Sequence, residues 1–158
     1  METHPFAIQF ETIGKFFNKS MSVLSEKDSG YKPQDEMMTV AQQIRHSWMT
    51  IEWFNDGTFS GKGFTMDFED QMKKTFEANS FDEEMRLFNK AIEDSIKLWS
   101  SKSMEELQTP IENDNIMGGA PKVAIPNAIS DHTAHHRGSL VVYARMLGKV
   151  PDMPYDVD

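Results

Sequence analysis

Four segments of the chain repeat apolar residues every three or four positions, the spacing that places them on one face of an α-helix. They run roughly over residues 5–27, 33–54, 81–102 and 126–147. No alternation of apolar and polar residues is strong enough to indicate a sheet. Helices of this length, each with one main apolar stripe, predict an all-α four-helix bundle that forms a single domain over residues 1–158.

Punctuating residues set the expected helix boundaries. Pro33 suits the first position of the second helix, and Asn55-Asp56-Gly57 predicts its end. Ser80 followed by Glu83 predicts a capping box at the start of the third helix. Pro126 fits near the start of the fourth helix and Gly148 lies just past its end.

Two long connections separate these helices, over residues 55–79 and 103–124. A short helix is expected around residues 66–76. Connections of this length in a compact domain are usually functional or carry some structure of their own. They also allow crossovers, so a simple up-and-down order of the helices is not assured.

Composition excludes several classes of function. Lys and Arg number 16 against 25 Asp and Glu, a net charge of −9, which disfavours nucleic acids and anionic membranes as partners. The absence of cysteine excludes disulfides, zinc ribbons, iron–sulfur clusters and a cysteine nucleophile. No apolar run is long enough to span a bilayer, and residues 1–5 lack the features of a secretory signal, so the expected location is the cytoplasm.

The most informative segment for chemistry is Asp131-His132-Thr133-Ala134-His135-His136. His132 and His136 are four residues apart on the apolar stripe, so both imidazoles can point at one ion. Buried imidazoles need a shared partner, and a divalent metal such as zinc accepts them readily. Hydrogen bonding to backbone or water is the alternative. His135 lies off the stripe and is expected at the surface.

A complete metal site needs further ligands, and the other histidines are His4 and His46. His4 lies near a terminus, which tends to fray. His46 lies about opposite the main stripe of the second helix and beside a second apolar face, so an exposed position remains open for it. Glu52 is on the same side and is a candidate for supporting the ligands.

Other motifs fail on the residues present. The residue after His132 is Thr133, so the segment is not the His-Glu-x-x-His motif of zinc proteases. The chain has no Glu-x-x-His pair of a di-iron bundle, no phosphate-binding glycine loop and no nucleophile elbow. A calcium loop beginning at Asn113 would place Met117 and Ala124 where oxygen ligands are required.

The segment Asp131–Leu140, with its His-x-x-His-His-Arg-Gly core, continues into a Tyr-x-Arg-x-x-Gly end at residues 143–148. Together with a histidine in the second helix, His46, it resembles the DinB/YfiT-like family of metalloenzymes. The resemblance implies a four-helix bundle with up-down-down-up connectivity, and in many members a homodimer. It also implies one divalent metal, nickel or zinc, held by His46, His132 and His136.

Known activities in that family imply a function as well. They suggest a metal-dependent enzyme that acts on a small electrophilic substrate, as a thiol-dependent transferase or a hydrolase. The reactive group would be a metal-bound water or the thiolate of a low-molecular-weight thiol, and no general base can be named. One alternative is a non-catalytic, stress-related metal-binding or dimeric interaction module. Another is a helical bundle whose histidines are satisfied without metal.

Overall fold

The computed structural model describes residues 4–155. Within that range the chain is all-helical, with no strand and a single isolated bridge between Pro110 and Pro121. Two short 3-10 helices accompany six α-helices, which are α1 (Pro5–Met21), α2 (Val40–Phe59), α3 (Phe68–Phe76), α4 (Phe81–Ser100), α5 (Met104–Leu107) and α6 (Ile125–Met146). The four long helices overlap the four predicted segments but differ at their ends, and α3 lies where a short helix was expected.

The long helices form a bundle in which α4 packs against both α1 and α2. Phe17 of α1 stacks on Phe88 of α4, while Phe6, earlier in α1, contacts Trp99, later in α4. The two helices are therefore antiparallel. Arg45 of α2 bonds Glu84, and ten residues later in α2 Asn55 bonds Ser95, so α2 and α4 run in the same direction.

Helix α6 fills the other groove, between α1 and α2. Gln9 of α1 bonds Asn127 at the start of α6, and Arg137 lies over the ring of Phe16, so α1 and α6 are parallel. Gln43 near the start of α2 bonds Tyr143 near the end of α6, so α2 and α6 are antiparallel. The order around the bundle is α1, α4, α2, α6, with directions up, down, down and up. The expected fold class is confirmed. The connection over residues 60–80 is a crossover, because it joins the parallel helices α2 and α4, whereas the connection over residues 101–124 joins the antiparallel helices α4 and α6 at one end of the bundle.

Helix α2 differs most from its predicted span, because it begins at Val40 rather than Pro33. Thr39 caps it by accepting the backbone N–H of Gln42, and the Gln42 side chain accepts the N–H of Thr39 in return. This reciprocal capping box satisfies two backbone N–H groups of the first turn and places the start of the helix at Val40.

The predicted stop at Asn55-Asp56-Gly57 is also wrong, because α2 continues to Phe59. Gly57 stays in the helix and allows close packing: a Cβ built there would lie 2.2 Å from Cδ1 of Phe64, which is buried. Asn55 is buried too, and its side chain joins Ser95 and Trp99 of α4.

The ends of the other helices follow their capping residues. Helix α1 ends at Met21, six residues earlier than predicted. Ser80 caps α4 as predicted by accepting the N–H of Glu83, but the Glu83 carboxylate bonds Arg86 and does not complete a capping box.

The core between the helices is rich in large side chains, among them Phe10, Phe17, Ile44, Phe88, Trp99, Ile129 and Leu140. Among the described residues, the helices are too short or too polar to cross a membrane.

Candidate metal centre

Three histidine side chains converge in the groove between α2 and α6. The Nε2 atoms of His46 and His132 are 3.3 Å apart, and those of His132 and His136 are 3.2 Å apart. The three possible ligand atoms lie within 4.8 Å of one another. His136 is buried, and the other two are half-buried. These residues, called the histidine cluster below, are the three that the sequence and the family resemblance nominated.

A chain of hydrogen bonds fixes the orientation of His136. The backbone carbonyl of Met38 can only accept, so the Tyr143 hydroxyl donates to it at 3.1 Å. That hydroxyl oxygen in turn accepts from the Gln43 amide nitrogen at 3.3 Å. The Gln43 oxygen is left to accept from Nδ1 of His136 at 2.5 Å. The proton of His136 therefore resides on Nδ1, and its Nε2 presents a lone pair to the cluster.

Burial keeps the cluster uncharged at neutral pH. It lowers the pKa of His132 to about 4 and that of His136 to about 3, and in each case repulsion from neighbouring histidines adds to the effect. The pKa of His46 is lowered as well, by burial and then by His135. Neutral imidazole is the form that binds a metal ion, so the site is prepared for one without a proton having to leave.

The separations of the nitrogen atoms test whether a metal fits. Bonds of about 2.0–2.1 Å at tetrahedral angles would place two ligand nitrogens about 3.3 Å apart. The separations of 3.2 and 3.3 Å agree with that value. Nδ1 of His132 has no partner in the described structure, so its proton can reside there and leave Nε2 free to bind. The residues present therefore fit a divalent ion.

The remaining histidines do not belong to the cluster. His135 is exposed, as expected from its position off the stripe, and its ring contacts the edge of His136. His4 caps α1 by accepting the backbone N–H of Phe6, a role that its position near a terminus did not predict.

Support for the ligands comes from a different residue than the sequence suggested. Glu52 lies away from the cluster, in a cleft of about 470 Å³ between α2, α3 and α4. Burial and the nearby Asp56 raise its pKa. Gln43 supports His136 instead, and sequence reasoning missed it. The feature that could have indicated Gln43 is its position in the sequence: it is a polar residue one helical turn before His46, on the side of α2 that faces the core.

This chain is an up-down-down-up helical bundle with three histidines converging from its second and fourth long helices. Its sequence matches the DinB family over residues 10–158, and the protein belongs to that family. The fold is also similar to the crystal structure of YjoA, a DinB-like protein from Bacillus subtilis, with a TM-score of 0.70. The alignment covers 94% of this chain and 97% of that one at 18% identity, so the likeness concerns the fold. No curated protein matches the sequence.

Proposed function

We propose that the histidine cluster binds one divalent transition metal, nickel or zinc, and that the protein is a metal-dependent enzyme. Its expected reaction is thiol-dependent transfer or hydrolysis on a small electrophilic substrate. The observation that carries the proposal is the convergence of three histidines, with Nε2 of His132 3.3 Å from that of His46 and 3.2 Å from that of His136, and with the tautomer of His136 fixed by Gln43.

The donor set favours catalysis over a purely structural role. Catalytic zinc sites usually have three protein ligands and one open position, whereas structural sites have four. Only three ligating side chains form the cluster within residues 4–155, and two of them are half-buried, so solvent can reach it. A divalent ion held by three neutral imidazoles supplies uncompensated positive charge, which favours an anionic co-substrate and lowers the pKa of a water or thiol there.

The protein's own residues hold the histidine rings in position. Gln43 and Tyr143 hold His136 in one orientation, and α2 and α6 hold the three rings together. The chain contains no cysteine. A thiol used by this site must therefore be a separate small molecule.

Metal analysis of the purified protein tests the ligand assignment. We expect near-stoichiometric nickel or zinc in the unaltered chain and its loss in His46→Ala and His132→Ala. His135→Ala is the matched control, because it removes an exposed histidine of the same helix that lies outside the cluster. Metal retained in His46→Ala would contradict the proposed site.

Activity is tested separately from metal content. The metal-loaded protein is incubated with cysteine or coenzyme A and the electrophile 1-chloro-2,4-dinitrobenzene, and with 4-nitrophenyl acetate for hydrolysis. Turnover that disappears in His132→Ala and persists in His135→Ala supports an enzyme. Stoichiometric metal that does not bind azide or cyanide would instead favour the non-catalytic metal-binding module, because a structural site is closed.

We also propose that the protein is a cytoplasmic homodimer, which the family resemblance suggests. Light scattering of the untagged protein measures its mass against the 18.1 kDa of one chain. A monomer at micromolar concentration would contradict the proposed dimer without affecting the metal site.

A further inference from the structure

A second cleft lies on the other side of α6, between α6, α1 and the segment that leads to Tyr155. Its volume is about 460 Å³. The walls are formed largely by Ile13, Phe16 and Ala134, and polar groups reach it from Thr133 and Arg137. No residue of the histidine cluster lines it. A concave, mostly apolar surface with a few polar groups is the usual form of a site for a small molecule.

Arg137 carries an unused hydrogen-bonding face in this cleft. Its guanidinium lies against the rings of Phe16 and Tyr155, 5.5 and 5.4 Å from their centroids, while the two rings contact each other edge to face, and Nη2 donates to the Tyr155 hydroxyl. Nη1 is buried, yet it has no partner within residues 4–155. By contrast, Arg45 and Arg86 both pair with carboxylates. The two aromatic rings hold the Arg137 fork in place without satisfying it.

Thr133 provides a second unpaired donor at the same place. The residue is 2% exposed, and its hydroxyl has no partner in the described structure. The buried hydroxyls of Thr58 and Ser47 instead donate to the backbone carbonyl four residues earlier. An unsatisfied buried polar group is costly, so an unpaired hydroxyl and an unpaired Nη1 that line the same cleft indicate a ligand that accepts from both.

We propose that this cleft binds a small carboxylate with an apolar body, such as an aryl- or alkyl-carboxylate. The guanidinium of Arg137 and the hydroxyl of Thr133 donate to the carboxylate oxygens, and the apolar body packs against Ile13 and Phe16. Arginine suits this role because its planar fork matches a carboxylate. The cleft faces α1, whereas the histidine cluster faces α2, so the proposal does not depend on the metal.

The test is a titration of the zinc-loaded full chain with phenylacetate, followed by NMR of the backbone amides and the Arg137 side chain. Phenylacetamide, which has the same shape without the charge, is the matched ligand. We expect phenylacetate to shift the resonances of Thr133 and Arg137, and phenylacetamide to bind at least tenfold more weakly. Shifts confined to the histidine cluster would overturn the proposal, because they would place the carboxylate on the metal.

Three variants separate binding from folding. Arg137→Met should weaken phenylacetate binding at least tenfold, whereas Arg86→Met, which removes an exposed arginine of α4, should leave it unchanged. Thr133→Val keeps the shape of the side chain and removes an unpaired hydroxyl, so it should not lower the melting temperature. It should nevertheless weaken binding severalfold. Unchanged affinity in both cleft variants would overturn the proposal.

A carboxylate in this cleft can also come from the chain itself, since Asp156 and Asp158 follow Tyr155 in the sequence. The titration is therefore repeated with the Asp156→Asn/Asp158→Asn double variant. If only the double variant binds phenylacetate, and Arg137→Met abolishes that binding, the recognition of a carboxylate stands and its source is the chain. Absence of binding in both chains overturns the proposal.

Discussion

The hydrogen bond between Gln43 and His136 gives the sharpest test of how the histidine cluster is prepared for a metal. Gln43→Met preserves most of the volume of the side chain and removes the only acceptor for Nδ1–H of His136 in the described structure. Without that acceptor the proton can move to Nε2 and donate to Nε2 of His132, which is 3.2 Å away. The ligand atom would then be blocked, and a metal would have to displace the proton.

The size of the effect follows from the role of the bond. Removing a hydrogen-bond partner of a metal-bound histidine typically lowers metal affinity about 10–100-fold, or about 1.4–2.7 kcal/mol. If the proton stays on Nδ1, a buried donor is left unsatisfied instead, at about 1–3 kcal/mol of folding stability. For a chain of this size that corresponds to a melting temperature lowered by roughly 2–12 °C.

Competition for Zn²⁺ with a chromogenic chelator measures the affinity, and a thermal melt measures the stability. Gln108→Met is the matched control, because Gln108 is exposed on the bundle surface, and it should behave as the unaltered protein. A Gln43→Met protein whose zinc affinity stays within twofold of the original would refute the reasoning, whatever its stability. In that case Gln43 would be a buried polar residue without influence on the ligands.

Further predictions concern packing, a buried ion pair and pH. Gly57→Ala should lower the free energy of unfolding by about 1–3 kcal/mol, because the new Cβ would lie 2.2 Å from the Phe64 ring. Gly138→Ala, where a Cβ would meet nothing within 4 Å, should raise the free energy of unfolding by about 0.5–1 kcal/mol. Urea denaturation compares the two variants. Glu84→Ala leaves a guanidinium and an indole of α2 without their shared acceptor and should cost about 3 kcal/mol in the same assay, while the exposed Glu83→Ala should cost less than about 0.5 kcal/mol. Because the pKa values of the two cluster histidines on α6 lie below their ordinary value of 6.5, protonation favours the unfolded chain, so the metal-free protein should be stable above pH 6.5 and lose stability as the pH falls from there. Melts between pH 7 and 5 should show that slope, and it should become shallower when both histidines are replaced by glutamine, because His46, whose pKa is also lowered, still contributes.

Much of the fold follows from local signals in the sequence. The seam of α4 was visible as a regular apolar repeat, and its large members Phe81, Phe88 and Trp99 are buried. Helix α2 was harder, because Gly57 is a helix breaker by local propensity. Its place inside the helix depends on Phe64, which packs against it from the following connection. That contact is tertiary, so no local pattern indicates it.

Some residues of the candidate site were likewise visible from local sequence spacing, and others were not. The spacing of His132 and His136 on one helix is a local signal, and the structure brings the two rings together. His46 lies near the outer edge of its own helix by periodicity, so only the family resemblance raised it. The structure explains its inward role, because α6 packs along that edge and brings His132 to it. Gln43 escaped notice because its partners lie 93 and 100 residues away.

The order of the helices around the bundle has a consequence for folding kinetics. His46 and His132 are separated by 86 residues, and they meet only after both long connections have closed. Before that, the chain offers an ion only the pair on α6, which is a much weaker chelate. An ion bound by all three histidines therefore stabilises the completed topology and no earlier intermediate, so it should slow unfolding while leaving the rate of the first collapse unchanged. Resistance to proteolysis would then follow the concentration of free metal.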